Sequence, residues 1–304
     1  MGAVGPALTI GVPVYNGERY LAQALAGIQA QTLADLRVVI ADNASTDGTE
    51  EIARAAAAAD PRIRYLRRER NVGLVANWNG LFTDDTDPDG EFFAWHSADD
   101  LAAPEFYATC VQLLREHPDA AAGCTQIELI GSAGESLGAD PEQIRSDHPD
   151  RAVRFTELAS FRHYCQFYYG VFRRPLLART RLMLPLFWSS DRLMLAELAL
   201  HGPLVRHPER RYFVRQHEER VTEGGRKNFY ARLASPTRGT TLRYARELRA
   251  AVELAGLSPA ERDRVLRALR GWRVRHSHLL ARSAAGVLVD AGARAVTRAG
   301  RGAG

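Results

Sequence analysis

Leu8-Thr9-Ile10-Gly11-Val12-Pro13-Val14-Tyr15-Asn16 is an apolar run that ends in a proline, an aromatic and an asparagine. It reads as a buried strand, Leu8 to Val12, opening into a turn. Outward from it, Tyr20, Leu21, Leu25 and Ile28 recur at helical spacing, and Arg37 to Ala41 forms a second strand. Asp47-Gly48-Thr49-Glu50 starts a helix that continues through Ile52 to Ala59. Ile63 to Leu66 is a third strand, Val72 to Phe82 a helix, and Phe92 to Trp95 a fourth strand. Phe106 to Leu114 is again helical and leads to a strand around Cys124 to Ile130. Strands alternating with helices build a sheet with crossover connections, so the fold class is α/β, of a nucleotide-binding type. The ends of the first two strands, Pro13 to Asn16 and Asp42-Asn43, then lie side by side at the carboxyl edge, where open α/β sheets bind ligands. A dinucleotide site is disfavoured, because no G-x-G-x-x-G follows the first strand.

The 304 residues, 46% of them hydrophobic, suffice for one large domain with an appendage or for two domains. No apolar run is long enough to cross a bilayer, and Met1 to Ala7 lacks the basic and apolar regions of a signal peptide, so a cytoplasmic protein is expected. Cys110, Cys124 and Cys165 are far apart and in no C-x-x-C pattern, which suits reduced packing residues. The net charge of +4 hides a division: residues 1–200 carry 18 basic and 27 acidic side chains, residues 201–304 carry 22 and 9. All but one of the basic residues are arginine, Lys227 being the exception. Charge of this kind is not by itself a sign of nucleic-acid binding, and none is expected.

Asp99-Asp100 closes the apolar run from Phe92. Carboxylates at a strand end suit Mg²⁺ or Mn²⁺, which complete their shells with substrate phosphates, and this points to a diphosphate ligand. The plainer alternative is that they cap the helix after Pro104. The Tyr15 ring suits stacking on a base, and Asp42 suits accepting a base N–H. Gly131 to Arg154 turns to Gly, Ser, Asp, Pro and charge and reads as a long loop over the ligand face. Order resumes at Phe161 to Phe172, Asp191 opens a helix to Ala199, and Tyr212-Phe213-Val214 precedes His217. Beyond Thr222 the chain reads as helical and arginine-rich, with Leu242, Leu248, Val252 and Leu254 at helical spacing.

Five landmarks stand in order: Pro13-Val14-Tyr15-Asn16-Gly17, Gln31-Thr32, Asp42 to Thr49, Asn71-Val72-Gly73 with Asn77, and Asp99-Asp100. Together they resemble the inverting family 2 glycosyltransferases. The resemblance covers residues 8–130 and implies a GT-A type, Rossmann-like mixed sheet flanked by helices. It implies a catalytic domain over 1–220, with a nucleotide half at about 8–130 and an acceptor half at about 155–220. A basic helical extension follows over 221–304, its tail expected to be disordered after about 291. By the same resemblance Pro13, Tyr15, Asp42, Asn77 and Asp99 contact the nucleotide, and Asp99, Asp100 and His217 meet a divalent Mn²⁺ or Mg²⁺. Asp191, at the start of a helix, takes the place of the catalytic base. Arg215 is an alternative phosphate ligand, and Trp95, His96 and Trp188 are candidates to line the cleft. One departure stands out: Ser97 occupies a position where many relatives carry an aspartate.

The expected activity is non-processive transfer of one sugar from a nucleoside diphosphate sugar, UDP favoured, to a polysaccharide, lipid-linked or natural-product acceptor. Two other classes stay open. A sugar nucleotidyltransferase shares the sheet and acids but has a glycine-rich basic loop where this chain has Val12 to Tyr15. A non-catalytic relative would keep Tyr15 and Asp42 without the base. For the basic C-terminal helices, contact with an anionic membrane or a partner stands beside a plain solvated face.

Overall fold

The computed structural model describes residues 7–84, 86, 90–139, 144–161, 163, 165–185, 189–217, 240–281, 283 and 284. Among them nine strands form one mixed sheet. β1 (Leu8–Val14), β2 (Leu36–Asp42), β3 (Ile63–Arg67) and β4 (Phe92–Trp95) run parallel in the order β3-β2-β1-β4. Beyond β4 come β8 (Val171–Arg173), β6 (Ala122–Ile130), β9 (Leu204–Arg215) and the short β5 (Leu101–Ala102), with β7 (Ser136–Ala139) paired to β6. β8 is antiparallel to β4 and β6, whereas β9 runs parallel to β6 and antiparallel to β5.

Period-two alternation along these strands fills a core on each face. Leu8, Ile10, Val12, Phe92 and Ala94 pack under α1 (Leu21–Gln29), α2 (Thr49–Ala59) and α4 (Phe106–Glu116). Phe93 and Trp95 pack on the opposite face, with α3 (Leu74–Thr83), α5 (Arg151–Leu158) and α7 (Ser190–Ala199); the short α6 (Arg174–Leu177) follows β8. Gly11 is required by close packing: a Cβ there would stand 3.0 Å from Leu81 Cβ of α3 and 3.2 Å from the Phe93 ring. α7 is buried on nearly every side, as expected for a helix in the middle of a layer.

The two C-terminal helices, α8 (Thr240–Leu254) and α9 (Pro259–Arg275), form a hairpin on that same face. Ser258 and Glu261 make a reciprocal capping box that starts α9. Tyr244 Oη and Trp272 Nε1 both donate to the Ala159 carbonyl, at 3.1 and 3.2 Å. Phe161 packs between their rings, and His276 stacks on Trp272 at 4.4 Å. Leu248 and Val252 are buried as their spacing predicts, but Leu254 is 69% exposed, because the helix ends there and its side chain passes the edge of the core.

Element positions match the sequence reading to within a few residues over 8–130. The segment expected as one long loop, Gly131 to Arg154, contains β7, a hairpin partner of β6, and the first turn of α5 capped by Asp150. β9 is longer than its apolar end suggests, because Arg206 to Arg211 is strand despite its charge. Residues 218–239, 285–304 and Trp188 lie outside the described residues.

Candidate active site

The carboxyl ends of β1, β2 and β3 meet in register, Val14 opposite Asp42 and Asp42 opposite Arg67. The turns after β1 and β2 are laced together. Asn16 N–H donates to Ser45 Oγ at 2.9 Å, and Thr46 N–H to Asn16 Oδ1 at 2.9 Å. Asn16 holds a φ of 51°, which its short polar side chain tolerates. This turn leaves the Tyr15 ring 51% exposed at the sheet edge. Pro13 is buried beneath it within β1.

Asp42 is fully buried. Its Oδ2 accepts from Tyr65 Oη and Arg67 Nη1, both at 2.7 Å, and its Oδ1 from Ser45 N–H at 2.8 Å. Burial and the bond to Asp42 push the Tyr65 hydroxyl up to about 12. Asp42 therefore holds the floor of the edge together, its buried carboxylate engaged by three protein donors. Asn77 is likewise internal: its Nδ2 donates to the Ala41 carbonyl at 2.9 Å, and its Oδ1 accepts from Arg68 Nε at 3.2 Å. Asn43 joins the wall, accepting from Val72 N–H at 2.8 Å and donating to Asn71 at 2.9 Å.

Asp99 faces the edge with its side chain 21% exposed. Its Oδ2 lies 2.8 Å from His217 Nε2, although 118 residues separate the two in sequence. Ser97 Oγ donates to Asp99 Oδ1, so the residue that departs from the family pattern orients the acid beside it. The His217 ring lies 4.9 Å from that of Tyr20, and its buried Nδ1 has no hydrogen-bond partner among the described residues.

Asp100, the second acid expected at the metal, turns away from the exposed edge. It is fully buried, its Oδ1 accepting from Arg215 N–H at 2.9 Å and its Oδ2 from Tyr212 Oη at 3.4 Å. Asp99 lies in the turn between β4 and β5, and the bonds from Tyr212 and the Arg215 backbone draw Asp100 inward while Asp99 stays at the edge. Arg215 is also internal rather than turned to phosphates. Its Nε donates to the Asp99 carbonyl at 2.9 Å, its Nη1 to Gly131 and Ser132 carbonyls at 3.3 and 3.0 Å, and its Nη2 to Gln23 Oε1 at 2.9 Å. The guanidinium also lies over the Tyr20 ring at 4.6 Å. Trp95 and His96 fill the core instead of lining a cleft. Trp95 stacks on Tyr168 at 5.3 Å, and His96 lies within hydrogen-bond reach of Tyr107 Oη at 2.9 Å.

Asp191 sits in the first turn of α7, after Ser189 with a φ of 71°. Its carboxylate accepts from Arg192 N–H at 2.8 Å. It is near Tyr168, whose hydroxyl is pushed well up by burial and then by the Asp191 charge. Sequence reasoning missed Tyr65 and Arg67 as the clamp on Asp42, and Arg215 as the tie behind Asp99. The first had a signal, since opposite charges end neighbouring parallel strands; the second had none, because no spacing links residue 215 to residue 99.

Asp99 and His217 are of the donor types that suit a divalent cation: a carboxylate oxygen and an imidazole nitrogen converge at the ligand edge. Among the described residues no group of three His, Cys, Asp or Glu could hold a metal. Two protein donors leave most of a six-ligand shell to phosphate oxygens and water, the usual division for such ions.

A parallel sheet edge with an exposed ring and an acid–imidazole pair, extended by antiparallel strands, is the GT-A fold. Comparison agrees: the chain matches the profile described as "Glycosyl transferase family 2" over residues 9–178, and it belongs to that family. Curated relatives include EpsH of Bacillus subtilis, 29% identical over 147 residues, 47% of this chain and 40% of EpsH. Glycosyltransferase GlyA of Streptococcus pneumoniae is 32% identical over 111 residues, 36% of this chain and 15% of GlyA. The chain thus spans less than half the length of these relatives. Among solved structures, S. aureus TarS 1-349 in complex with UDP-GlcNAc has a TM-score of 0.63 at 19% identity, covering 88% of this chain and 72% of that one. The mannosyltransferase PcManGT of Pyrobaculum calidifontis, in complex with GDP-Man and Mn²⁺, has a TM-score of 0.55 at 21% identity, covering 99% and 81%.

Proposed function

We propose that the protein is an inverting, non-processive glycosyltransferase that takes one sugar from a nucleoside diphosphate sugar, UDP favoured, and passes it to a hydroxyl acceptor. The observation that carries this reading is the Asp99–His217 pair, brought together across 118 residues at the carboxyl edge of a parallel sheet. Tyr15 offers an exposed face on which a base stacks. Asp99 and His217 hold Mn²⁺ or Mg²⁺, which when bound offsets the charge of the departing diphosphate. Ser97 keeps the Asp99 carboxylate in its rotamer. Asp191 acts as the base, taking the acceptor hydroxyl proton on its carboxylate as that hydroxyl attacks. Asp42 and Asn77 support the nucleoside wall from behind. The UDP-GlcNAc complex of TarS and the GDP-Man and Mn²⁺ complex of PcManGT support a donor of this class.

A thermal-shift panel of UDP, GDP, dTDP and CMP, each with and without Mn²⁺, tests the reading on the wild type, Asp99→Ala and Asp191→Asn. A nucleotide at about 100 times its Kd adds about 2.7 kcal/mol. The expected result is one nucleoside diphosphate that stabilises the wild type and Asp191→Asn only with metal and leaves Asp99→Ala unmoved. An equal shift in Asp99→Ala removes the acid pair from donor binding, and undiminished sugar transfer by Asp191→Asn removes Asp191 from the mechanism.

A further inference from the structure

The inner sides of α8 and α9 are buried through Tyr244, Leu248, Val265, Leu269 and Trp272. Their outer sides are arginine. Arg262 and Arg264 are neutralised, the first by Glu253 and Asp263 and the second by Asp150. Past Asp263 the sequence holds no further acidic residue through Ala284. Arg267, Arg270, Arg273 and Arg275 are exposed and make no ion pair among the described residues, and the same holds for Arg243 and Arg246 on α8.

Arg267, Arg270 and Val274 lie within about 60° of one another on the side of α9 away from Val265, Leu269 and Trp272, with Arg273 and Arg275 on its two flanks. Arg249 of α8 and Arg262 of α9 both reach Glu253, at 3.7 and 3.6 Å, so the exposed sides of the two helices run together at the turn. Arg273 lies three helical turns beyond Arg262, on the same side. Among them Val274 is 74% exposed. Residues 1–200 are of opposite sign, carrying 27 acidic against 18 basic side chains.

We propose that this outer side of the C-terminal hairpin docks on an anionic phospholipid bilayer. Arginines on long apolar stems around an exposed valine match a headgroup layer, where charge meets lipid phosphate and the aliphatic part enters the interface. The charge division turns the hairpin toward such a surface and the acidic half away from it. The hairpin exposes no large aromatic residue for stacking, which disfavours single-stranded nucleic acid as the occupant. No described helix is long and apolar enough to cross a membrane, and the contact proposed is superficial.

Co-sedimentation of the full chain with vesicles of phosphatidylcholine alone, or with about one-third phosphatidylglycerol, tests the proposal. Near an anionic surface each arginine contributes about a fivefold factor in partitioning, so Arg267→Ser/Arg270→Ser/Arg273→Ser should bind roughly 100-fold more weakly than the wild type. The charge-matched control Arg54→Ser/Arg64→Ser/Arg115→Ser, on the acidic half, should bind like the wild type, and high salt should release both. The proposal fails if the wild type does not sediment with the anionic vesicles, if it binds both vesicle types equally, or if the control loses as much as the hairpin variant. Retention on a duplex DNA oligonucleotide without vesicle binding overturns it in favour of nucleic acid.

Discussion

Arg215→Met tests whether the buried guanidinium positions the Asp99–His217 pair or only fills space. Methionine keeps the apolar length but removes every donor. The Asp99, Gly131 and Ser132 carbonyls and Gln23 Oε1 then lose their partner, all within a region where Arg215 is 1% exposed. A buried acceptor left unpaired costs about 1–3 kcal/mol, and water reaches the outermost of these four, so a net loss of about 3–5 kcal/mol is expected. For a chain of this size that lowers the Tm by roughly 5–8 °C. Freed from Arg215, the Asp99 backbone no longer fixes its carboxylate against His217. Loss of such an outer support typically weakens a metal about 10–100-fold, which the free Mn²⁺ signal in electron paramagnetic resonance reads directly. Arg215→Lys, with charge but a single donor head, should fall between. If Arg215→Met lowers the Tm while Mn²⁺ affinity stays within a factor of two, the residue is structural and the positioning argument is wrong.

Asp42→Asn should cost about 2–3 kcal/mol in urea denaturation, because it removes the charge facing the half-exposed Arg67 and turns a donor toward Tyr65 or Ser45; an unchanged midpoint would show the clamp to be slack. Trp272→Ala empties a fully buried site and frees Ala159 from one of its two side-chain donors, for about 3–5 kcal/mol. Because the hairpin shares the core of α5 and α7, calorimetry should show one transition moved down, and a separate hairpin transition would refute that coupling. Burial holds His96 at about 4, below its ordinary 6.5, so the unfolded chain binds a proton there first and stability falls as the pH drops through that interval. The loss from His96 alone is about 3 kcal/mol, and burial, helped by the charges of Arg179 and Arg151, moves His201 in the same direction. Urea midpoints that stay flat between these pH values would contradict a neutral buried His96.

The nucleotide half was legible because its information is local. Strand ends, turn residues and helix periods between Leu8 and Ile130 are each set by neighbours within a dozen residues, and the structure follows them closely. Asp99 and His217 were legible as residue types, yet nothing in either segment says which of two adjacent acids turns outward. That is decided by Tyr212 and the Arg215 backbone, which take Asp100 inward. The surroundings of Asp42 were hidden for a related reason: its burial depends on Tyr65 and Arg67 arriving from the next strand. β7 and the charged middle of β9 carry no hydrophobic alternation and exist because β6 offers them an edge.

β9 is the last strand among the described residues but not the last in the sheet, since it lies between β6 and β5. During synthesis the sheet therefore waits with a gap, and β5, two residues long, has no partner until β9 emerges. The loop that carries Asp99 is closed at both ends by that same event, through β5 on one side and Arg215 and His217 on the other. The ligand edge is thus completed late. A nascent chain that has finished the whole stretch matching its family profile, which ends at residue 178, still lacks half of its acid–imidazole pair.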